Sequence, residues 1–187
     1  MTQEPFTTRI NKVAATLEGH SDFSSTVLKD MMTHFRFGKE ITDDTANTEV
    51  YRVYKRSVPT VAGELLQCLT ILRQGSVRRE FFMTRGHNHS DKGCAEIYQG
   101  VTGYGLVLMQ QENRFEIREI NPGTSVYIPA GWSHRTVNTS VEKDLVFYSV
   151  WPAQSGYEYD YVTRYPFSKQ VVEDIEGYRL ISDNESW

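Results

Sequence analysis

Three of the chain's five histidines and one of its glutamates carry the most chemistry, and their spacing says how it would be used. His87 and His89 stand one residue apart. That interval places two side chains on nearly opposite sides of a helix but on the same face of a β-strand, where neutral imidazoles suit a metal. Glu96 follows seven residues after His89. It can face the two imidazoles from a neighbouring antiparallel strand if Ser90-Asp91-Lys92-Gly93-Cys94 forms the connecting loop. A fourth ligand, His134, lies in a later stretch. Three histidines and one carboxylate suit Fe(II), Mn(II), Co(II), Ni(II) or Zn(II), and an octahedral ion with four protein ligands keeps two positions open to an outside molecule. The alternatives are histidines that only hydrogen-bond, or a closed site that only stiffens the fold. Structural zinc sites favour cysteine and complete tetrahedral closure, and no cysteine motif accompanies these histidines.

Gly123, Pro129, Gly131, His134 and Asn138 stand at the spacing of the second cupin motif, with every fixed position filled. With each residue type used at roughly 5%, five such positions match by accident on the order of once in a million starts, so chance is a poor explanation. The first cupin motif is less complete. His87-x-His89 and Glu96 with six residues to Gly103 are present, but the interval from His89 to Glu96 is longer than in most cupins and Phe81 stands where glycine is usual. That longer interval, with Thr84-Arg85-Gly86-His87 and Glu96-Ile97-Tyr98, resembles the cupin-type (archaeal-type) glucose-6-phosphate isomerases. Trp151-Pro152-Ala153 and Leu180-Ile181-Ser182-Asp183-Asn184 extend the resemblance along the chain.

The resemblance implies one divalent ion per subunit, Fe2+ or Mn2+ before Zn2+, Ni2+ or Co2+, on His87, His89, Glu96 and His134. It implies interconversion of glucose 6-phosphate and fructose 6-phosphate, with the carbonyl polarised by the ion. The hydrogen would move by proton transfer through an enediol or by a metal-assisted hydride shift. Glu96 is the implied base, with Tyr98 beside it on the same strand parity, although coordination to a cation lowers a carboxylate's basicity. Thr70, Thr84 and Gly86 are the implied phosphate contacts, and Arg85 is the nearest cation in sequence. Without the resemblance Thr70 reads as an ordinary strand threonine, and Arg85 equally as a solvated salt-bridge partner. Thr84 lies an odd number of residues from His87, which strict alternation would send to the opposite face; a bulge at Gly86 resolves this. Tyr51, Tyr98, Trp151, Tyr157 and Tyr159 would wall the sugar pocket. One departure stands out: the family has Gly-His-x-Tyr where this chain has Gly156-Tyr157-Glu158-Tyr159. Tyrosine is the poorer acid-base group at neutral pH. A cupin oxygenase would use the same four ligands, and a non-catalytic cupin would bind the sugar phosphate without turnover. An oxygenase has no use for Thr84-Arg85-Gly86.

The elements that must position these residues read as all-β. After Glu49, short β-rich runs fall at 50–54, 65–72, 80–84, 104–110, 114–120, 125–128, 135–138 and 145–151, with a last pair at 169–172 and 178–182. Gln111-Glu112-Asn113 reads as a hairpin loop. The expected fold is a cupin double-stranded β-helix, a jelly-roll barrel over 49–187, with residues 1–48 as a partly helical N-terminal extension of the same domain. In that extension Ile10, Val13, Ala14 and Leu17 fall at helical spacing, and Val27, Leu28, Met31 and Met32 form a second stripe. Both stripes read as packing against the outside of the barrel or a second subunit, and His20 and His34 as solvated surface residues.

The 187 residues suit one domain, and 39% hydrophobic with 24% charged is ordinary for a globular chain. A net charge of -4 and a pI near 5.7 argue against a general nucleic-acid surface. No stretch approaches the roughly 20 apolar residues of a membrane span, so the expectation is a cytoplasmic protein without a membrane partner. The resemblance adds a homodimer. Cys68 reads as a buried inert thiol; Cys94 reads as a spacer in its loop, with a soft-ligand role as the alternative.

Overall fold

Buried and exposed side chains alternate along 96–100 and 125–128, whereas 105–109 and 133–138 are buried throughout. The computed structural model describes residues 3–182, 184 and 185; Asp183, part of the terminal segment that carries the resemblance, lies outside them. Fifteen strands are described: β1 (Arg9–Asn11), β2 (Thr16–Glu18), β3 (Asp22–Val27), β4 (Glu49–Arg56), β5 (Leu65–Leu72), β6 (Ser76–Val77), β7 (Glu80–Phe81), β8 (Glu96–Thr102), β9 (Gly105–Gln111), β10 (Arg114–Ile120), β11 (Ser125–Ile128), β12 (Ser133–Asn138), β13 (Leu145–Pro152), β14 (Gln170–Asp174) and β15 (Gly177–Ile181). Among the described residues one short α-helix, α1 (Tyr159–Arg164), follows β13.

Six strands form the larger sheet in the order β11-β8-β13-β5-β4-β3, and three form the facing one in the order β10-β9-β12. Non-sequential neighbours in an all-antiparallel arrangement are the mark of a jelly roll, the expected fold class. Leu72, Tyr98, Val126, Ile128 and Phe147 from the larger sheet join Leu106, Leu108, Ile120 and Val137 from the smaller in one buried cluster. Each such side chain gains about 1.5–3 kcal/mol on leaving water, so the two inner faces hold the layers together. The turn after β9 needs Glu112 at a φ of 53°, and Gly177, at 110°, opens the last hairpin. The first matches the expected hairpin loop at 111–113; in the last pair β14 pairs both with β15 and with the earlier β7.

The first N-terminal stripe is corrected. Ile10 and Leu17 do not share a helix; they sit opposite each other across the β1–β2 hairpin. Asn11 explains the difference, because its side-chain oxygen accepts from the backbone of Val13 and Ala14 and turns the chain. Leu17 then packs on Leu69, Ile71 and Val146, the outer face of the larger sheet. The second stripe does contain a helical turn, 3-10 in type, at Leu28–Met31, and Leu28 and Met31 enter the main core. Between the stripes, β3 pairs with β4 along its length and supplies an edge strand of the larger sheet that the sequence reading did not contain. The run at 80–84 is likewise shorter than expected, since β7 ends at Phe81.

Candidate metal centre and sugar pocket

β12 carries His134, and the chain beside it carries His87 and His89. His87 and His134 form a β-bridge, exchanging backbone hydrogen bonds at 3.1 and 3.0 Å. Four residues upstream Met83 bridges Val137. The chain therefore advances four residues from Met83 to His87 while its partner advances three, from Val137 to His134. That extra residue is a β-bulge, and Gly86 within it adopts a φ of 78°. The bulge puts Thr84, Gly86 and His87 on the wall of one cavity, as the sequence spacing required.

Glu96 reaches the histidines by a different route from the one expected. Its strand pairs with β11 and β13, not with the histidine segment, so the carboxylate crosses from the larger sheet to the smaller. Glu96 Oε2 lies 3.0 Å from His134 Nε2, 3.3 Å from His89 Nε2 and 4.0 Å from His87 Nε2. One ligand atom from each of the four residues falls within 4.8 Å of all the others. Glu96 and His134 are 4% and 1% exposed.

The donor chemistry fits a cation. His89 Nδ1 is 3.0 Å from the Cys94 carbonyl and His134 Nδ1 is 3.1 Å from the Trp132 carbonyl. A carbonyl only accepts, so the neutral rings carry their proton on Nδ1 and turn a bare Nε2 lone pair inward. His87 Nε2 and His89 Nε2 are buried without hydrogen-bond partners. Lone pairs converging on a carboxylate repel one another unless a positive ion sits among them. The carbonyls also fix each ring's angle, so Cys94 serves through its backbone and its thiol stays outside the cluster. Burial pushes the His87 pKa well below its ordinary value, and the neighbouring His134 adds to the effect. Burial also opposes charge on His89, but the Glu96 carboxylate 3.3 Å away outweighs it and raises the pKa. Burial would raise the Glu96 pKa; His134 and His89 outweigh that and hold it at about 2.

The cavity beside these ligands measures about 500 Å3. It is lined by every pocket residue inferred from sequence: Tyr51, Thr70, Thr84, Arg85, Gly86, Tyr98, Trp151, Tyr157 and Tyr159, together with His87 and Glu96. Register explains the arrangement, because residues paired across strands share a face. Ser149 pairs with Tyr98 and with Cys68, Cys68 with Lys55, and Lys55 with Asp22, so one row crosses five strands. The Tyr98 ring lies edge-on to His134 at 5.7 Å and against Phe147 at 4.9 Å. Tyr157 and Tyr159 arrive because Asn88 and Glu158 form a second β-bridge beside the histidines. Lys92 and Arg164 clamp Glu158 at 2.7 Å each. The Tyr157 ring then stacks on Tyr159 at 5.5 Å and meets His87 edge-on at 5.2 Å.

The glucose-6-phosphate isomerase family matches residues 26–185 of this chain. The chain belongs to that family. The glucose-6-phosphate isomerase of Thermococcus litoralis is 35% identical over 189 residues, covering 99% of this chain and 97% of its own length. That of Pyrococcus furiosus is 34% identical over 191 residues, covering 100% and 99%. A solved cupin 2 conserved barrel domain protein from Salinispora arenicola shows a partial likeness, with a TM-score of 0.39 at 20% identity over 54% of this chain and 74% of that one.

Within the family framework two sequence readings need correction. Arg85 makes no ion pair among the described residues; its guanidinium donates to the Asp30 carbonyl at 3.3 Å and lies 5.7 Å from the Tyr159 ring centre. His34 is not solvated. It is half-buried in a second cavity with Arg135, and burial, then Arg135 and Arg85, pull its pKa down to about 4. Sequence reasoning missed Asp22, Ser24, Thr26, Lys55 and Ser149 in the main cavity, because β3 carries no apolar alternation to announce it as a sheet strand. Its Ser24 and Thr26 on one face were the available signal. Cys68 is buried, as expected, with its thiol pKa pushed up by burial, yet it borders the cavity floor. Among the described residues no helix is long and apolar enough to cross a membrane.

Proposed function

We propose that this chain interconverts glucose 6-phosphate and fructose 6-phosphate with a divalent ion on His87, His89, Glu96 and His134. The observation that carries this reading is the convergence of those four ligand atoms at the wall of a cavity large enough for a sugar phosphate. When bound, the ion would supply Lewis acidity toward the sugar's carbonyl oxygen. The protein's own residues do the rest. Tyr98, Tyr157, Tyr159 and Trp151 give the sugar apolar walls with polar tips, and the neutral phenols donate hydrogen bonds without competing for the carbonyl's charge. Thr84 and Thr70 hydroxyls with the Gly86 backbone receive the phosphate, a small local contact consistent with the acidic net charge. Glu96 moves the proton between the two carbons when its ligand contact loosens.

Purified protein reconstituted with Mn(II) or Fe(II) is expected to convert fructose 6-phosphate to glucose 6-phosphate, and EDTA to stop it. No conversion with any divalent ion would remove the proposal. In deuterium oxide the proton route puts solvent label at C2 of the aldose; complete retention of substrate hydrogen would eliminate Glu96 as a base exchanging with water. A cytoplasmic homodimer belongs to the same proposal, and light scattering at the monomer mass would refute the dimer.

A further inference from the structure

β12 turns two consecutive side chains to opposite sides. His134 enters the ligand cluster, and Arg135 goes behind the bulge that carries Thr84 to Gly86. Arg135 is 8% exposed, an uncommon depth for a guanidinium. Its nitrogens follow the bulge along its back. NH1 is 3.0 Å from Met83 Sδ, and NH2 donates to the Arg85 carbonyl at 2.8 Å. Nε is buried without a partner under Gly86, where an added Cβ would lie 3.2 Å from it and 3.0 Å from Arg135 Cβ. The Phe167 ring covers the guanidinium at 4.6 Å.

No carboxylate among the described residues lies within ion-pair distance of Arg135; attraction from Glu80 is the strongest it receives from a distance. A guanidinium keeps its proton at neutral pH even at this depth. Burying a charge that no carboxylate pairs is costly, and one carbonyl, one thioether and the Phe167 face offset that only in part. A methionine or leucine would fill the same space without the cost. The charge gains its compensation when an anion arrives on the front of the bulge, where low dielectric lets it act through the backbone.

We infer that Arg135 is a positioning residue for the sugar's phosphate: it fixes the Thr84–Gly86 bulge from behind and sets a positive charge opposite the phosphate without touching it. This rests on the phosphate reading proposed above, and the test separates the two. The probe is inorganic phosphate, with its dissociation constant measured by calorimetry on the metal-loaded protein, alongside KM, kcat and metal content. R135M is expected to raise both the phosphate dissociation constant and KM for fructose 6-phosphate by about tenfold or more, with kcat within about threefold and metal content unchanged. R135K, which keeps the charge but loses the fork, should fall between, and it carries the test alone if R135M does not fold. Unchanged phosphate binding in these variants overturns the inference, as does a loss confined to kcat. T84V reports on the underlying reading. If T84V weakens phosphate binding while the Arg135 variants do not, only the Arg135 role falls; if none of the three weakens it, the phosphate reading falls too.

Discussion

The two ends of the main cavity are built on different principles. At the metal end, four charged or ionisable side chains come from three separate stretches of chain, two of the imidazoles braced by a backbone carbonyl and the carboxylate crossing from the opposite sheet. At the bulge end, the cavity wall is made of threonine hydroxyls and one glycine in a left-handed conformation. Strong donors need little backbone help but exact direction, so the first end relies on regular strand pairing. Weak donors need the backbone itself to approach, so the second relies on a break in that pairing.

That contrast can be broken most sharply at the metal end. E96A and H134A are expected to lose bound metal, measured by elemental analysis, and to lose isomerase activity by at least about a thousandfold, since the site's whole electrostatic contribution goes with the ion. Retained activity in either would mean the cluster is not the reactive centre. At the bulge, G86A forces a side chain into φ 78° with its Cβ 3.0 Å from Arg135 Cβ and 3.1 Å from the His134 carbonyl oxygen. We expect a stability loss of about 2–4 kcal/mol, read as a melting-temperature drop of roughly 5–15 °C, and a raised KM with metal content preserved.

A smaller effect tests the ground behind the bulge. The His34 pKa is about 4 in the fold against an ordinary 6.5, so the unfolded chain takes up the proton first. The stability due to neutral His34 is complete above about pH 6.5 and is lost as pH falls toward 4, by up to about 2–3 kcal/mol. H34Q should therefore show a smaller drop in melting temperature between pH 7.5 and pH 4.5 than the parent chain; an equal drop would refute the buried-histidine account. The smallest change is expected for Y157F. Burial raises the Tyr157 pKa far above neutrality, so the phenol is a neutral donor throughout the working range. Activity should fall less than about tenfold, and the pH profile of kcat between pH 6 and 9 should keep its shape.

The same contrast explains what was legible in the residues. The imidazoles and the carboxylate were readable because metal ligands are chemically distinctive and strand parity fixes their faces. The Gly86 bulge was readable because Thr84 and His87 conflict in parity and glycine resolves the conflict. The partner of Glu96 was not, since parity says which face a side chain takes and nothing about which sheet lies opposite. The β1–β2 hairpin was hidden for a similar reason: a seven-residue interval aligns Ile10 and Leu17 on a helix and equally across a turn. β3 was hidden because its cavity face is polar, so a strand that serves the ligand lacks the apolar pattern that marks strands serving the core. Ser149 lay unnoticed on a strand already recognised and Lys55 one residue past the expected end of another, because cross-strand rows exist only once pairing is known.

The bridge between Asn88 and Glu158 ties the tyrosine-bearing segment to the residue that separates two of the ligand histidines. Any displacement of that segment would pull on Asn88 and so on the two candidate ligands that flank it. Loosening Glu158 by removing Lys92 or Arg164 should therefore speed the loss of a metal loaded on the candidate ligands.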